Sequence, residues 1–212
     1  WDDLYAYTGG PNVGANQNLL PGDVALLDFN SDGRYDSGFD NVPYGYPTYP
    51  QNNYGFSFGG DYKGFDLSAQ LYGVYGLDVF NDNLYNFRAG VNNDNHIVDV
   101  LSRWTPTNPG NKWPRVVLND PNNNWQISSL SIEKADYLRM RLLSLGYTLP
   151  AQFTEKTGAS LRLYIQAQNL FTITDYSGLD PEIGGGTLSR GIDNGRTYPV
   201  PRIFSMGLQL DF

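Results

Sequence analysis

YLRMRLLSLGYTLPAQFTEKTGASLRLYIQAQNLF, residues 137–171, reads as two long alternating segments joined by a short polar turn. In the second segment Leu161, Leu163, Ile165 and Ala167 share one parity. Ser160, Arg162, Tyr164, Gln166 and Gln168 share the other. Side chains alternate across a strand with period two, so the pattern predicts one apolar wall and one polar wall. The first segment alternates with a shift: Leu138, Met140 and Leu142, then Leu143, Leu145, Tyr147 and Leu149 on the opposite parity. A β-bulge near Leu142–Leu143 would keep both sets on one face. Each segment is about as long as a tilted bilayer-spanning strand, about 9–11 residues. A water-soluble β-sandwich also alternates, in strands averaging about 5–6 residues, and this hairpin by itself leaves both architectures open.

The end of the chain separates them. In PRIFSMGLQLDF, Phe204, Met206, Leu208, Leu210 and Phe212 form an unbroken apolar stripe to the last residue, while Ile203, Ser205, Gly207, Gln209 and Asp211 face the other way. A soluble domain gains little from such an ending. An outer-membrane barrel places its closing strand in lipid and its aromatic terminus at the periplasmic rim.

Upstream, Tyr54, Phe56, Phe58, Gly60 and Tyr62 oppose Gly55, Ser57, Gly59 and Asp61. After a tight turn at Lys63-Gly64, Phe65, Leu67, Ala69 and Leu71 oppose Asp66, Ser68, Gln70 and Tyr72. Glycines on the polar parity suit a crowded barrel interior, and aromatics at strand ends suit interfacial girdles. The spanning strands are expected at 54–62, 65–76, 137–149, 159–171 and 202–212. Residues 1–53, rich in Gly, Pro and Tyr, read as loop, and 77–136, with its Asn/Asp clusters and four prolines, as a long loop without regular structure. Short turns alternating with long loops is the asymmetry of a bacterial barrel. Five strands are too few to close one, since at least 8 are needed and an open wall would leave bare edges in lipid. The chain also opens on Trp1 rather than Met. Both observations predict a piece of a longer protein.

Composition narrows the function classes. The net charge of −8 argues against a nucleic-acid partner. The absence of cysteine removes thiol and disulfide chemistry. No run approaches the 18 apolar residues of a spanning helix, which says nothing against a barrel.

Four segments together, PGDVALLDFNSDGRYD, YLRMRLLSLGYTLP, IQAQNLFTITDYSGLDPE and YPVPRIFSMGLQLDF, resemble the C-terminal part of the SusC/RagA family, the TonB-dependent outer-membrane transporters of the Bacteroidetes. The resemblance runs from about Pro21 to Phe212. It implies an all-β fold: about five antiparallel transmembrane strands of a 22-stranded barrel, with residues 1–53 an extracellular loop region and 54–212 the barrel strands. The plug and the TonB-contacting segment would lie outside this chain. It further implies an outer-membrane nutrient importer for oligosaccharides or peptides, working with a SusD-like surface lipoprotein and with TonB, its C-terminus on the periplasmic side. An outer-membrane barrel serving as a binding or assembly scaffold without import is the alternative. A full-length chain lacking a plug would favour it.

Asp28-Phe29-Asn30-Ser31-Asp32-Gly33-Arg34-Tyr35-Asp36 matches the front of a calcium loop, D-x-[DN]-x-[DN]-G. Asp28, Asn30 and Asp32 would present oxygens at positions one, three and five, the Arg34 carbonyl at seven and Asp36 at nine. Position twelve is Phe39, and Asp40 follows one residue late. The family's usual form, DxNGDGxIDxxD, keeps that acid in register. The alternative is an Asx-rich turn without metal.

Other candidates carry less. His96 sits alone among Asn and Asp, so neither a His-based triad nor a zinc site is available. Glu133, Asp136, Asp180 and Glu182 are scattered over loops and read as surface acids rather than a glycosidase pair, so no enzymatic activity is expected. Gly184-Gly185-Gly186 is not followed by Lys-Ser/Thr and is not a phosphate cradle. Arg139, Arg141 and Arg162 fall on the polar wall, either pairing with acids of the lumen or plug or meeting substrate. Trp104, Trp113, Trp125, Tyr44, Tyr46 and Tyr49 offer flat rings, which suit sugar faces or the packing of a lipoprotein partner.

Overall fold

The computed structural model describes residues 19–32, 35, 38–89, 95–110, 112–120, 124–125, 127–153, 158–183 and 190–212. Arg34, Asp36 and Gly184-Gly185-Gly186 lie outside them. No helix among the described residues is long and apolar enough to cross a membrane.

The strands are β1 (Asn52–Tyr62), β2 (Phe65–Tyr75), β3 (Asp78–Phe80), β4 (Ile132–Lys134), β5 (Tyr137–Thr148), β6 (Ser160–Gln168), β7 (Thr172–Thr174) and β8 (Ile203–Asp211). The five long ones form an antiparallel sheet in sequence order, β1-β2-β5-β6-β8, with β7 continuing the line of β6 against β5. All five expected strands are present, within two residues at most ends. Lys63 (φ 50°) and Gly64 (φ 85°) both take positive φ between the paired residues Tyr62 and Phe65. That is the two-residue hairpin turn whose twist matches the flanking strands.

The register makes the two walls concrete. Phe58, Ala69, Leu143, Ala167 and Phe204 form one apolar row across five strands, and Gly60, Leu67, Leu145, Ile165 and Met206 another. A third, Tyr62-Phe65-Tyr147-Leu163-Leu208, runs next to the turn. Large apolar side chains on these rows stand bare, Ile165 at 60%, Phe204 at 68% and Met206 at 86% exposure. Three such rows would be untenable in water and are ordinary in hydrocarbon. The opposite wall reads Asp61-Asp66-Gly146-Tyr164-Gly207 and Gly59-Ser68-Ser144-Gln166-Ser205.

The bulge lies one residue earlier than expected. Gln70 pairs with Leu142 and Leu71 with Met140, so Arg141 is the extra residue. Leu142 therefore belongs to the polar wall, between Gln70 and Gln168, and not to the apolar set.

Residues 77–136 are not structureless, which corrects the reading of one long loop. β3 and β4 pair in a second sheet, α1 spans Asp82–Ala89, and short 3-10 turns occur at Val98–Ser102 and Ser129–Ser131. The run Asn81-Asp82-Asn83, which looks like loop composition, is a helix start. The Asn81 side chain accepts the Leu84 N–H at 3.0 Å, and its carbonyl accepts the Tyr85 N–H at 3.0 Å. An Asn N-cap satisfies the donors that the first turn leaves open.

The chain forms two compact units. One holds the described residues up to Gly45 with Asn81–Ile132, and the other Tyr46–Phe80 with Glu133–Phe212. The first unit centres on Trp113 and Trp125, stacked at 6.5 Å, with Tyr85, Val116 and Leu130 around them. In the same unit Asp23 takes a bidentate pair from Arg115 and an amide hydrogen bond from Asn124 at 2.9 Å. In the sheet unit, Val74, Leu77, Val79, Ala135, Tyr137 and Tyr176 form a core at the strand ends away from the Lys63 turn.

Candidate functional site

Two sets of residues carry charge in a form that chemistry could use. The first is on the polar wall. Arg139 is buried at 2% exposure. Its Nη2 donates to Asp180 at 2.6 Å, Nη1 to Glu182 at 2.8 Å, and Nε to the Thr172 hydroxyl at 2.8 Å. Arg141, the bulge residue, donates to both Glu182 oxygens at 2.8 and 2.9 Å. A buried guanidinium requires this degree of pairing. Asp180 also accepts the Val200 N–H at 2.9 Å, so the loop after β7 and the approach to β8 are tied to the same wall. Nearer the turn, Arg162 reaches across β5 to Asp66 at 2.8 and 2.5 Å. Gly146 lies beneath that bridge, and any Cβ there would meet both partners. Gly207 likewise lies under the Tyr164 ring.

These contacts correct the reading of the acids. Asp180 and Glu182 hold the wall arginines. Asp136 accepts the N–H groups of Gly76 and Leu77 at 2.8 and 3.1 Å, and Glu133 takes both the N–H and the hydroxyl of Ser177. All four accept hydrogen bonds from within the chain, and the Asp180 side chain is withdrawn from water at 9% exposure. They were missed because partners some 40 to 60 residues apart leave no local signal. Tyr176 was missed in the same way: it is buried and donates to Asp193 at 2.6 Å. Burial, with that carboxylate beside it, pushes its phenol well above the usual tyrosine range.

The second set is the acidic loop. Asp28 and Asp40 are withdrawn from water, at 1% and 7% exposure. Asp28 Oδ1 accepts the Asp32 N–H at 3.1 Å, and Asn30 Oδ1 accepts the same N–H at 3.0 Å. Asp40 Oδ1 accepts the Phe29 N–H at 2.9 Å, which brings the late acid back to the start of the loop, while Phe39 points outward at 70% exposure. Among the described residues no three Asp, Glu or His side chains come close enough to hold a metal by themselves. The donor set is nonetheless all hard oxygen, in keeping with calcium, and Arg34 and Asp36 lie outside the described residues.

The aromatic candidates divide. Trp113 and Trp125 are core residues and offer no ring to a sugar. Tyr44 and Tyr49 are exposed, with the Arg190 guanidinium 4.9 Å from the Tyr49 ring. Tyr46 packs against Tyr75 at 6.1 Å, and a hydrogen bond with Tyr75 raises its pKa. His96 is exposed.

No family model matches the chain. It is 33% identical over 200 residues to "TonB-dependent receptor P3" of Formosa agariphila, covering 91% of this chain and 19% of that protein. It is 30% identical over 199 residues to "TonB-dependent receptor SusC" of Bacteroides thetaiotaomicron, covering 93% and 18%. Among solved structures it resembles the RagAB peptide importer in its "open-open" state, with a TM-score of 0.73 and 25% identity over 90% of this chain and 21% of that one. The chain thus spans about a fifth of the length of the relatives it matches. With its open antiparallel sheet, bare apolar rows and polar inner wall, it belongs to the SusC/RagA family of TonB-dependent receptors, as a segment of the C-terminal part of the barrel.

Proposed function

We propose that this chain supplies wall and loops to an outer-membrane importer of oligosaccharides or peptides. Other parts of the protein provide the plug and the contact to TonB, and a SusD-like lipoprotein covers the outer loops. The observation that carries this reading is the pairing of a bare apolar face with a polar wall whose arginines are already neutralised by Asp180, Glu182 and Asp66. Such a wall lines a water-filled passage and faces lipid outside. Arg139 and Arg141 serve that passage by holding the loop after β7, not by gripping substrate. No step of bond making or breaking is assigned to any residue.

In this reading the Lys63-Gly64 turn, residues 150–158 and the C-terminus face the periplasm. Residues 1–53, 77–136 and 172–200 face outward. Asp28, Asn30, Asp32, Asp36 and Asp40, with the Arg34 carbonyl, hold a calcium ion that pins the outer loop and does no chemistry. The test is accumulation of labelled oligosaccharide and peptide mixtures by cells carrying the full-length receptor, with and without TonB. Uptake that needs both receptor and TonB is expected. Surface binding of the same mixtures with no TonB-dependent accumulation would replace the importer by a binding scaffold.

A further inference from the structure

The first unit holds a cavity of about 850 Å³, lined by residues between 22 and 44 and between 104 and 132, all of that unit. This is the size of a small-ligand pocket, about 300–1,000 Å³. Backbone hydrogen bonds fix its wall. The Arg115 N–H donates to the Gly22 carbonyl at 2.8 Å, and the Trp104 N–H to the Trp113 carbonyl at 2.9 Å. The Trp104 ring lies against Gly22, where any Cβ would collide with it. Trp104 is half-buried and Tyr44 is exposed. The lining also presents Leu27, Val42 and Ile127, open to solvent at 50%, 41% and 74% exposure.

Among the described residues of the lining, Asp23, Asp40 and Lys112 carry charge. The two carboxylates are withdrawn from water and engaged within the chain, Asp23 by Arg115 and Asn124, and Asp40 by the Phe29 N–H. Lys112 is exposed and has no acidic partner among the described residues. Its ammonium lies 5.6 Å from the Trp113 ring, and both residues line the cavity. A cation in an aromatic and aliphatic pocket complements a carboxylate carried next to an apolar side chain, which is how a peptide ends. A sugar ring fits less well, because the hydroxyls round its edge would lose water against Leu27, Val42 and Ile127 and gain no partner there. We propose that this pocket binds the C-terminal residue of a peptide, its apolar side chain among Trp104, Leu27, Val42 and Ile127 and its carboxylate on Lys112. The site narrows the importer reading above to peptides, and rests on that reading for the outward position of these loops.

The full-length receptor, Lys112→Gln and Ile127→Ser would be purified into detergent and titrated, by fluorescence anisotropy, with a fluorescein-labelled hexapeptide ending in leucine. The peptide would be used as free acid and as C-terminal amide, beside a free acid ending in serine. Wild type should bind the leucine acid about fivefold more tightly than its amide, and more tightly than the serine acid. Lys112→Gln, at an exposed position, should bind acid and amide alike. Ile127→Ser, also exposed, should narrow the gap between leucine and serine peptides and keep the preference for the acid. Each variant should keep heat-modifiable gel mobility. No saturable binding, equal binding of acid and amide by wild type, an acid preference that survives in Lys112→Gln, or displacement of the peptide by maltoheptaose would overturn the site. TonB-dependent uptake of peptides that ignores their C-terminus would overturn the pocket and leave the importer. Carboxylate-dependent binding without TonB-dependent uptake would sustain the pocket and replace the importer by a binding scaffold.

Discussion

Arg139 shows how much one side chain carries. At 2% exposure it binds two acids and a hydroxyl from the segment after β6. Arg139→Gln would leave Asp180 withdrawn from water without its cation, which costs about 3–5 kcal/mol. Denaturant unfolding of the assembled barrel should show that loss. Arg139→Lys should recover only part of it, because an ammonium cannot span both carboxylates as a planar fork does. An unchanged unfolding midpoint in Arg139→Gln would mean that the loop is held by other contacts. Tyr176 gives a pH signature. Its folded pKa is raised above that of an exposed tyrosine, so the neutral phenol stabilises the fold below pH about 10. That contribution disappears as pH rises through the folded value, and alkali should therefore destabilise the protein. Tyr176→Phe should be about 1–3 kcal/mol less stable at neutral pH, since the buried Asp193 loses its donor, and should show a shallower decline in alkali. Parallel pH profiles for the two proteins would exclude the phenol as the source.

At the scale of elements, register decides which substitutions are tolerated. Ala69, Leu143, Ala167 and Phe204 form the central apolar row, whereas Leu208 belongs to the row of Tyr62, Phe65 and Tyr147 beside the turn. Leu143→Arg should therefore cost about 2–4 kcal/mol, and Leu208→Arg, at the aromatic rim, about 0–1 kcal/mol. Gln209→Glu, on the polar wall directly opposite Arg162, should be tolerated. Folded yield in outer-membrane fractions, scored by heat-modifiable mobility, ranks the three. A Gln209→Glu variant as damaging as Leu143→Arg would reverse the assignment of the faces.

For the whole molecule, the proposed orientation and the proposed calcium loop meet in one protection experiment. Protease added to intact cells should cut within 1–53, 77–136 and 172–200 and spare Lys63 and Lys156. Chelation of calcium should add cleavage between residues 28 and 40, and readdition should restore protection. Cleavage at Lys63 in sealed cells would invert the topology, and protection indifferent to chelation would remove calcium from the loop.

Local pattern alone determined the five spanning strands, the two-residue turn at Lys63-Gly64, the apolar stripe of β8 through Phe204 and Met206, and the need for a bulge in β5. Each is a period-two or turn signal, carried by neighbouring residues because strand sterics act between neighbours. Tertiary structure alone decided the rest. It set the bulge at Arg141 and so turned Leu142 inward, because the register is fixed by pairing with Gln70 on another strand. It joined Arg139 to Asp180 and Glu182, placed Trp113 on Trp125 inside a core, and brought Asp40 back to Phe29. Those outcomes depend on side chains far apart along the chain, whose charges and apolar surfaces leave water together only once the strands are paired.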